Sequence, residues 1–466
     1  MKIDRRLKTE ALQPLLKRFF DRTAGKIAEL NKSWKPESGS PVFTVKGRYT
    51  ARGWTEWTQG FMYGCQILQF DATGDEKFLA MGRENTRQLM AKHVSHIGVH
   101  DHGFNNVSTY GNLRRLAREG AFEASQAEID FYEIALKASG AVQAARWSRI
   151  ANGTGYIHSF NGPHSLFSDT IRSCRALNLA HQLGHCLMGE GDKPISLLDR
   201  AMMHIMNTLR FNVYYGKGRD AYDVRGRVAH EGIFNMTDGQ YRCPSTQQGY
   251  SAFSTWTRGL AWVLLGCAEE LEFFSALPAD ELNLTISHGD GIFEEITDKR
   301  DFLKQMREAA KATADFIIEN SCADGIPFWD TGAPGLANLP DYRKHPSNPD
   351  NPYEPMDSSA AAICAQGLLR LGRYLGAQSK DGKDYWQAGL TMTRSLLEPP
   401  YVSENPKHQG LILHSIYHRP NGWDYTPPGK KIPQGEASMW GDYHAMELAV
   451  YLQRILQKKP YLKFFD

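Results

Sequence analysis

One pattern recurs along this chain: an apolar helical segment, a short turn rich in Gly and acidic residues, then another helical segment. It occurs in FDATGDEKFLAMG around Gly74, HCLMGEGDKPISLLDRA around Gly191 and RYLGAQSKDGKDYWQAG around Gly382. In each, the glycine is expected just past one helix, where a left-handed residue closes the last turn, and an acidic residue near the next start, where it complements the helix dipole. The helices themselves are legible. In RDFLKQMREAAKATADFIIEN, Phe302, Met306, Ala309, Ala310, Phe316 and Ile317 share one face, interrupted by Thr313. Further helical runs flank Asp75 and begin at Ser196, Thr257, Ser358 and Asp384. Sustained period-two alternation is almost absent. Hairpins repeating in this way bury their apolar faces by stacking into a bundle, a solenoid or a closed toroid.

Long Gly-, Pro-, Asn- and Trp-rich stretches at 213–250, 323–357 and 399–440 exceed simple connectors and are expected to build a site. No linker separates two composition regimes. The expected organisation is therefore a single all-α domain over 1–466, with 1–35 as a helical extension packed on it and the long loops forming a cleft at one end.

Composition excludes several classes of function. With 41% hydrophobic and 23% charged residues, a sizeable core is available and disorder is not indicated. The formal charge of +2 supplies no whole-molecule field for nucleic acid or an anionic membrane. No stretch approaches the ~20 apolar residues of a membrane helix, and the start, MKIDRRLKTEALQPLLKRFF, is charged where a signal peptide is apolar. A cytoplasmic location is expected. Seven cysteines with no Cys-x-x-Cys pair support neither a disulfide framework nor a thiolate zinc site.

Metal, cofactor and nucleophile motifs also fail. His181 and His185 have helical ligand spacing without the intervening Glu of a zinc hydrolase, and His100-Asp101-His102 points in diverging directions. Gly153-Thr154-Gly155 follows no strand, and no Gly-x-Ser-x-Gly elbow occurs. What remains is a pair of loop-borne acids, Asp101 in VHDHGF and Asp169 in LFSDTIRS. Carboxylate pairs are the commonest sugar-cleaving apparatus, although Asp169, just before an apolar run, also reads as a helix cap.

The blocks QQGYSAFSTWTRGLAW (247–262), EPMDSSAAAICAQGLLRL (354–371) and GEASMWGDYHAMELA (435–449) resemble the unsaturated glucuronyl hydrolases, family 88 of the glycoside hydrolases. WTQGFMYG (57–64), TGDEKF (73–78), HDHGF (100–104) and the Asp169 segment extend the resemblance over nearly the whole chain. It implies an (α/α)6 toroid of six helix hairpins and an enzyme that hydrates the C4=C5 double bond of a terminal unsaturated uronic acid on a lyase-generated oligosaccharide. The ring then opens and the glycosidic link is released. Neither metal nor cofactor is implied, and the partner is the oligosaccharide; oligomeric state stays open.

Carried over residue by residue, Asp169 matches the catalytic acid/base and Asp101 its essential neighbour. Trp57, His100, Gln248, Trp256, Arg258 and Trp262 match pocket positions, with Ser438 and Trp440 as cleft walls. The 256, 258 and 262 spacing does not put all three on one helix face, so at least one is expected to be structural. His204 matches a site histidine and equally reads as an interior one. A proton donor at neutral pH needs a carboxyl value well above ~3.9. A helix N-terminus stabilises the Asp169 anion by ~0.3–1 kcal/mol, while desolvation and a second carboxylate each raise its pKa by more. Asp169 is expected to be raised, with Asp101 setting its value.

The chain also departs from the family. Phe160 stands where Trp is usual and Gln247 where His is usual, and 213–247 is much longer than usual. That insertion brings Arg219, Arg225, Arg227 and His230, which read either as a sulfate or uronate sensor or as a solvated loop. Alternatives to the main reading are an unsaturated rhamnogalacturonyl hydrolase, a sugar epimerase using paired histidines, and a non-catalytic carbohydrate-binding toroid.

Overall fold

The computed structural model describes residues 1–53, 56–282 and 296–465. Its helices, in chain order, are α1 (Gln13–Ser33), α2 (Gln59–Thr73), α3 (Glu76–Leu89), α4 (Ala91–Val94), α5 (His102–Asn106), α6 (Asn112–Arg118), α7 (Gln126–Ala145) and α8 (Thr170–Ser173). They continue with α9 (Arg175–Gln182), α10 (Leu197–Phe211), α11 (Thr257–Ala276), α12 (Lys299–Asn320), α13 (Ser358–Tyr374), α14 (Lys383–Leu396) and α15 (Met439–Leu456). A π-helical turn at Val107–Gly111 joins α5 to α6, and Cys174 alone separates α8 from α9. Each pair therefore acts as one bent helix.

Two concentric layers follow from the contacts. The inner layer runs α2, α5–α6, α8–α9, α11, α13, α15 and returns to α2, each member packing on the next. The outer layer is α1, α3, α7, α10, α12 and α14. This is a closed (α/α)6 toroid. The inner helices α11 and α13 are buried along nearly their whole length, whereas the outer α3 and α12 bury one stripe. In α12 that stripe is the face read from the sequence, with Thr313 buried in it and donating to the Ala309 carbonyl. The segment 1–35, expected as a helical extension packed on the domain, places α1 against α2 and α15 at an outer position of the ring.

Of the three turn glycines, Gly74 does close α2 in the left-handed conformation (φ 70°). Gly191 lies instead in a turn between two short strands, and Gly382 stands at the start of α14 with φ −100°. The left-handed residues after α9 and α13 are Gly184 and Gly376. A glycine within a few residues of a helix end is legible in sequence; which of several closes the helix depends on where the last hydrogen bond falls.

The long loops are pinned to the ring by buried charges. The Lys26 ammonium on α1 donates to Ser403 Oγ and to the carbonyls of Asn405, His408 and Gly410. Asp442 on α15 accepts from the backbone N–H groups of Leu411 and Ile412 and from Tyr49 Oη. Within 213–250, strands Glu231–Phe234 and Tyr241–Ser245 form a hairpin whose first strand pairs antiparallel with Ser165–Phe167. The insertion thus joins the strand that leads into Asp169.

Two inner-helix glycines allow the closest approaches near the loop end. A Cβ at Gly60 would lie 2.3 Å from the Asn105 carbonyl oxygen, and one at Gly103 would lie 2.3 Å from that of Ser173. Gly103→Ala is predicted to lower the free energy of unfolding by ~1–3 kcal/mol, the usual range for overpacking. Urea denaturation checks this, and an unchanged midpoint would contradict the close approach of α5 and α8.

Candidate active site

The inner helices begin at the loop end of the toroid, and the side chains singled out in the sequence cluster at those beginnings. His100 and Asp101 precede α5, Asp169 precedes α8, Trp57 precedes α2, and Arg258 and Trp262 lie in the first two turns of α11. Ser173 stitches the first two starts together. Its hydroxyl donates to the His100 carbonyl (2.8 Å) and accepts from the Gly103 N–H (2.9 Å), while Gln143 Nε2 donates to both Ser173 Oγ and the His100 carbonyl. Asp101 and Asp169 each occupy a helix N-cap position without using the side chain as a cap. Both carboxylates are free for other work.

They meet at one imidazole. His100 Nε2 lies 3.6 Å from Asp101 Oδ1 and 3.5 Å from Asp169 Oδ1, and all three residues are buried. The ring is held parallel to Phe160 at 6.0 Å and edge-on to Phe167 at 5.6 Å. Burial alone disfavours the imidazolium, but the two carboxylates outweigh it and raise the His100 pKa. The cation then splits the acids. Burial, reinforced by the Asp169 charge, pushes Asp101 up to about 6, whereas the contact with His100 holds Asp169 below the ordinary carboxylate value despite its burial. This reverses the expectation that Asp169 would be raised. The resemblance implied two neighbouring carboxylates; the cation between them acts chiefly on Asp169.

The three residues belong to a cavity of about 300 Å³. Trp57, Phe104, Phe160 and Trp262 give it aromatic walls, and Gln248 and Arg258 give it polar ones. Trp57 stacks on Trp440 at 5.2 Å. Arg258 lies between Trp256 (4.4 Å) and Trp440 (4.7 Å), and its Nη2 donates to Gln248 Oε1 and the carbonyls of Ile416 and Tyr417.

Several expected site residues lie elsewhere. His204 is wholly buried on α10, where Nδ1 accepts from the Ile157 N–H and Nε2 contacts Thr208 Oγ1; it is an interior histidine outside the cavity lining. Ser438 caps α15 by accepting from the Gly441 N–H. Trp256 and Trp440 form the layer beneath Arg258 and do not line the cavity, and the Trp440 indole N–H donates to Ser359 Oγ. His102 turns away to Ser139 and the His96 carbonyl.

Other residues had not been assigned to the pocket, Gln247 and His230 having been noted only as departures from the family. Gln247 and Phe104 line the cavity, as do Tyr417, His418, Asn421 and Trp423 of the 399–440 loop. Asp424 fixes that loop by accepting from the N–H groups of Tyr417 and His418. His230 of the insertion is buried beside the site. Its carbonyl accepts from the Ser168 N–H, its Nδ1 accepts from the Gln247 N–H (3.0 Å), and its ring packs between Phe167 and Trp256. It links the Asp169 strand to the Gln247–Gln248 arm. The signal in sequence was the insertion itself, since nothing local marks which of its residues turns inward.

Among the described residues, the group able to reach one metal ion is His100, Asp101 and Asp169, whose ligand atoms lie within 4.8 Å of one another. Sequence spacing concealed this set because Asp169 comes from another hairpin. A proton on His100 and a cation would compete for the same space between the carboxylates.

No family model matches the chain. Curated relatives do. An unsaturated chondroitin disaccharide hydrolase of Streptococcus agalactiae serotype III (strain NEM316) is 22% identical over 448 residues, covering 95% of this chain and 90% of its own. An unsaturated glucuronyl hydrolase of Bacillus sp. (strain GL1) is 25% identical over 415 residues, covering 87% and 89%. The fold matches the crystal structure of an unsaturated glucuronyl hydrolase specific for heparin, with a TM-score of 0.68 at 19% identity over 96% of this chain and 98% of the other.

The electrostatic arrangement predicts separate titrations. By carboxyl-carbon NMR, Asp101 should titrate near pH 6 and Asp169 below the ordinary ~3.9. His100→Gln should move both upward, since the imidazolium lowers each. Two midpoints near 3.9, unmoved by the substitution, would contradict the shared imidazole.

Proposed function

We propose that this chain, related over nearly its whole length to the unsaturated glucuronyl hydrolases, hydrates the C4=C5 double bond of an unsaturated uronic acid at the end of a lyase-made oligosaccharide. The observation that carries the reading is the meeting of Asp101 and Asp169 at His100, at the base of an aromatic cavity with one guanidinium. Water adds across the double bond, its hydrogen to C4 and its hydroxyl to C5. The C5 hemiketal opens to a ketone as the ring C–O bond breaks, and the hemiacetal left at C1 expels the next sugar with a hydrogen on the departing oxygen.

Each part of the site has a task in this reaction. Below about pH 6 Asp101 carries the exchangeable proton beside the His100 imidazolium, and Asp169 carries the charge. Asp101 first loads Asp169 through His100 Nε2 as the contacts of 3.5 and 3.6 Å tighten around substrate. Asp169 delivers that proton to C4, takes one from the water attacking C5, and passes it back to Asp101 by the same path. Trp57, Phe160 and Trp262 stack on the C–H faces of the half-flat ring. Arg258 offers the substrate carboxylate Nη1, which has no acceptor among the described residues, and Gln248 fixes a hydroxyl. Preorganised donors in a desolvated site stabilise the developing charge without reorganising.

We place the reaction in the cytoplasm. All seven cysteines are free thiols, as suits a reducing compartment. No helix among the described residues is long and apolar enough to cross a membrane.

Purified protein should bleach the ultraviolet absorbance of unsaturated uronyl disaccharides, with a product heavier by one water. Failure on unsaturated disaccharides of every polysaccharide origin would end the assignment. Asp169→Asn should lower kcat by roughly 10²–10⁴, the usual worth of a general acid–base group, with unchanged thermal unfolding. In the wild type, kcat/KM should fall as pH rises through about 6, because Asp101 is protonated below that value and the site loses its deliverable proton above it. His100→Gln should lower kcat, since it removes the path between the two acids, and should shift the remaining limb to higher pH, since the imidazolium no longer lowers Asp101. Unchanged kcat would remove His100 from the relay.

A further inference from the structure

We infer that the sugar joined to the unsaturated uronate enters this cavity without a sulfate group; the inference rests on the hydration reading above. It follows from where the positive charge lies. Among the described residues, two cationic side chains line the cavity, His100 and Arg258. His100 is committed between two carboxylates, and Arg258 has spent Nη2 on three oxygen acceptors while its Nε lies 3.6 Å from Asp357. One guanidinium nitrogen, Nη1, remains for the carboxylate that every unsaturated uronate carries.

The rest of the described lining offers a second anion neutral groups and no further charge. Phe160, 42% exposed, and Trp423 present rings, and Gln247 and Asn421 present amides. His418 is held neutral at pH 7, its value pushed down to about 4 by burial and by Arg258. Tyr417, pushed up to about 12 by burial, is neutral too. An anion placed against such walls loses its water for neutral donors alone, with no charge to compensate it.

The arginines that could have supplied one are turned elsewhere. Arg219 donates to the carbonyls of Arg210 and Phe211 and to Tyr241 Oη, Arg225 pairs with Asp315, and Arg227 packs on the Tyr214 ring and donates to the Phe253 carbonyl. None lines the cavity. Arg52 lies over the rings of Phe43 and Trp423, also outside the lining. The stretches 54–55 and 283–295 contain no Lys or Arg in sequence.

The test compares the unsulfated unsaturated chondroitin disaccharide with its 4-sulfated and 6-sulfated forms. Wild-type kcat/KM should be at least tenfold higher for the unsulfated form, and Asn421→Lys should narrow the gap by adding a cation to the lining. Equal or better turnover of either sulfated form by the wild type overturns the inference. If no disaccharide is turned over, the hydration reading fails instead. The inference is then judged by calorimetric Kd values of the wild type: at least tenfold tighter binding of the unsulfated form supports it, and any smaller preference overturns it.

Discussion

The site depends on the close approach of two inner helices, α5 and α8. Each starts with an aspartate, and those starts converge because Gly103 lets the Ser173 backbone come within the space a Cβ would fill. The Ser173 hydroxyl then ties the His100 carbonyl to α8, placing His100 Nε2 against both carboxylates. Two buried carboxylates a few ångströms apart repel and are poorly solvated, so neither value stays ordinary. An imidazolium between them settles the arrangement asymmetrically. Asp101 is left with the affinity for a proton and Asp169 with the charge. The chemistry of the cavity follows from that division.

Below the cavity, the toroid holds the convergence with a buried ionic network. Arg172, three residues past Asp169, pairs with Glu269 on α11 (2.9 Å) and Glu447 on α15 (3.0 Å). Arg370 on α13 reaches Glu269 (3.6 Å) and Glu272 (2.8 Å). These residues are almost fully buried, so the pairs contribute little net stability over apolar packing, yet breaking one strands a charge at a cost of ~3–5 kcal/mol. Their geometric effect is to fix the mutual rotation of four inner helices. The Glu447 end of the network also meets His444, whose ring packs on Trp262 in the cavity wall.

The layered helical architecture was legible because helix periodicity and turn glycines are local signals. So were Asp101, Asp169, His100, Trp57 and Gln248, which stand in short matching blocks beside helix starts. Harder to read was anything decided by distant packing. Spacing separates Trp256, the extended N-cap of α11, from Trp262 in its second turn, but does not tell which lies beneath Arg258 and which reaches the cavity. His204 carried a family match, but Ile157 and Thr208 enclose it. The inward turn of His230 and the approach of Tyr417, His418, Asn421 and Trp423 depend on long loops pinned by Asp424, Asp442 and Lys26. Those anchors are separated from the loops' inward-facing residues by contacts no local pattern records. The reversed titration of the two acids has the same origin, since it turns on an imidazole placed by tertiary structure.

The central claim is that these acids hydrate a double bond and leave the anomeric carbon unattacked. The most direct measurement is turnover of an unsaturated uronyl disaccharide in heavy-oxygen water and in deuterated water, analysed at early times by NMR and mass spectrometry. The account predicts one solvent-derived deuterium on C4, delivered to a single face, with the solvent oxygen on C5. Solvent oxygen on C1 with no deuterium on C4 would contradict it.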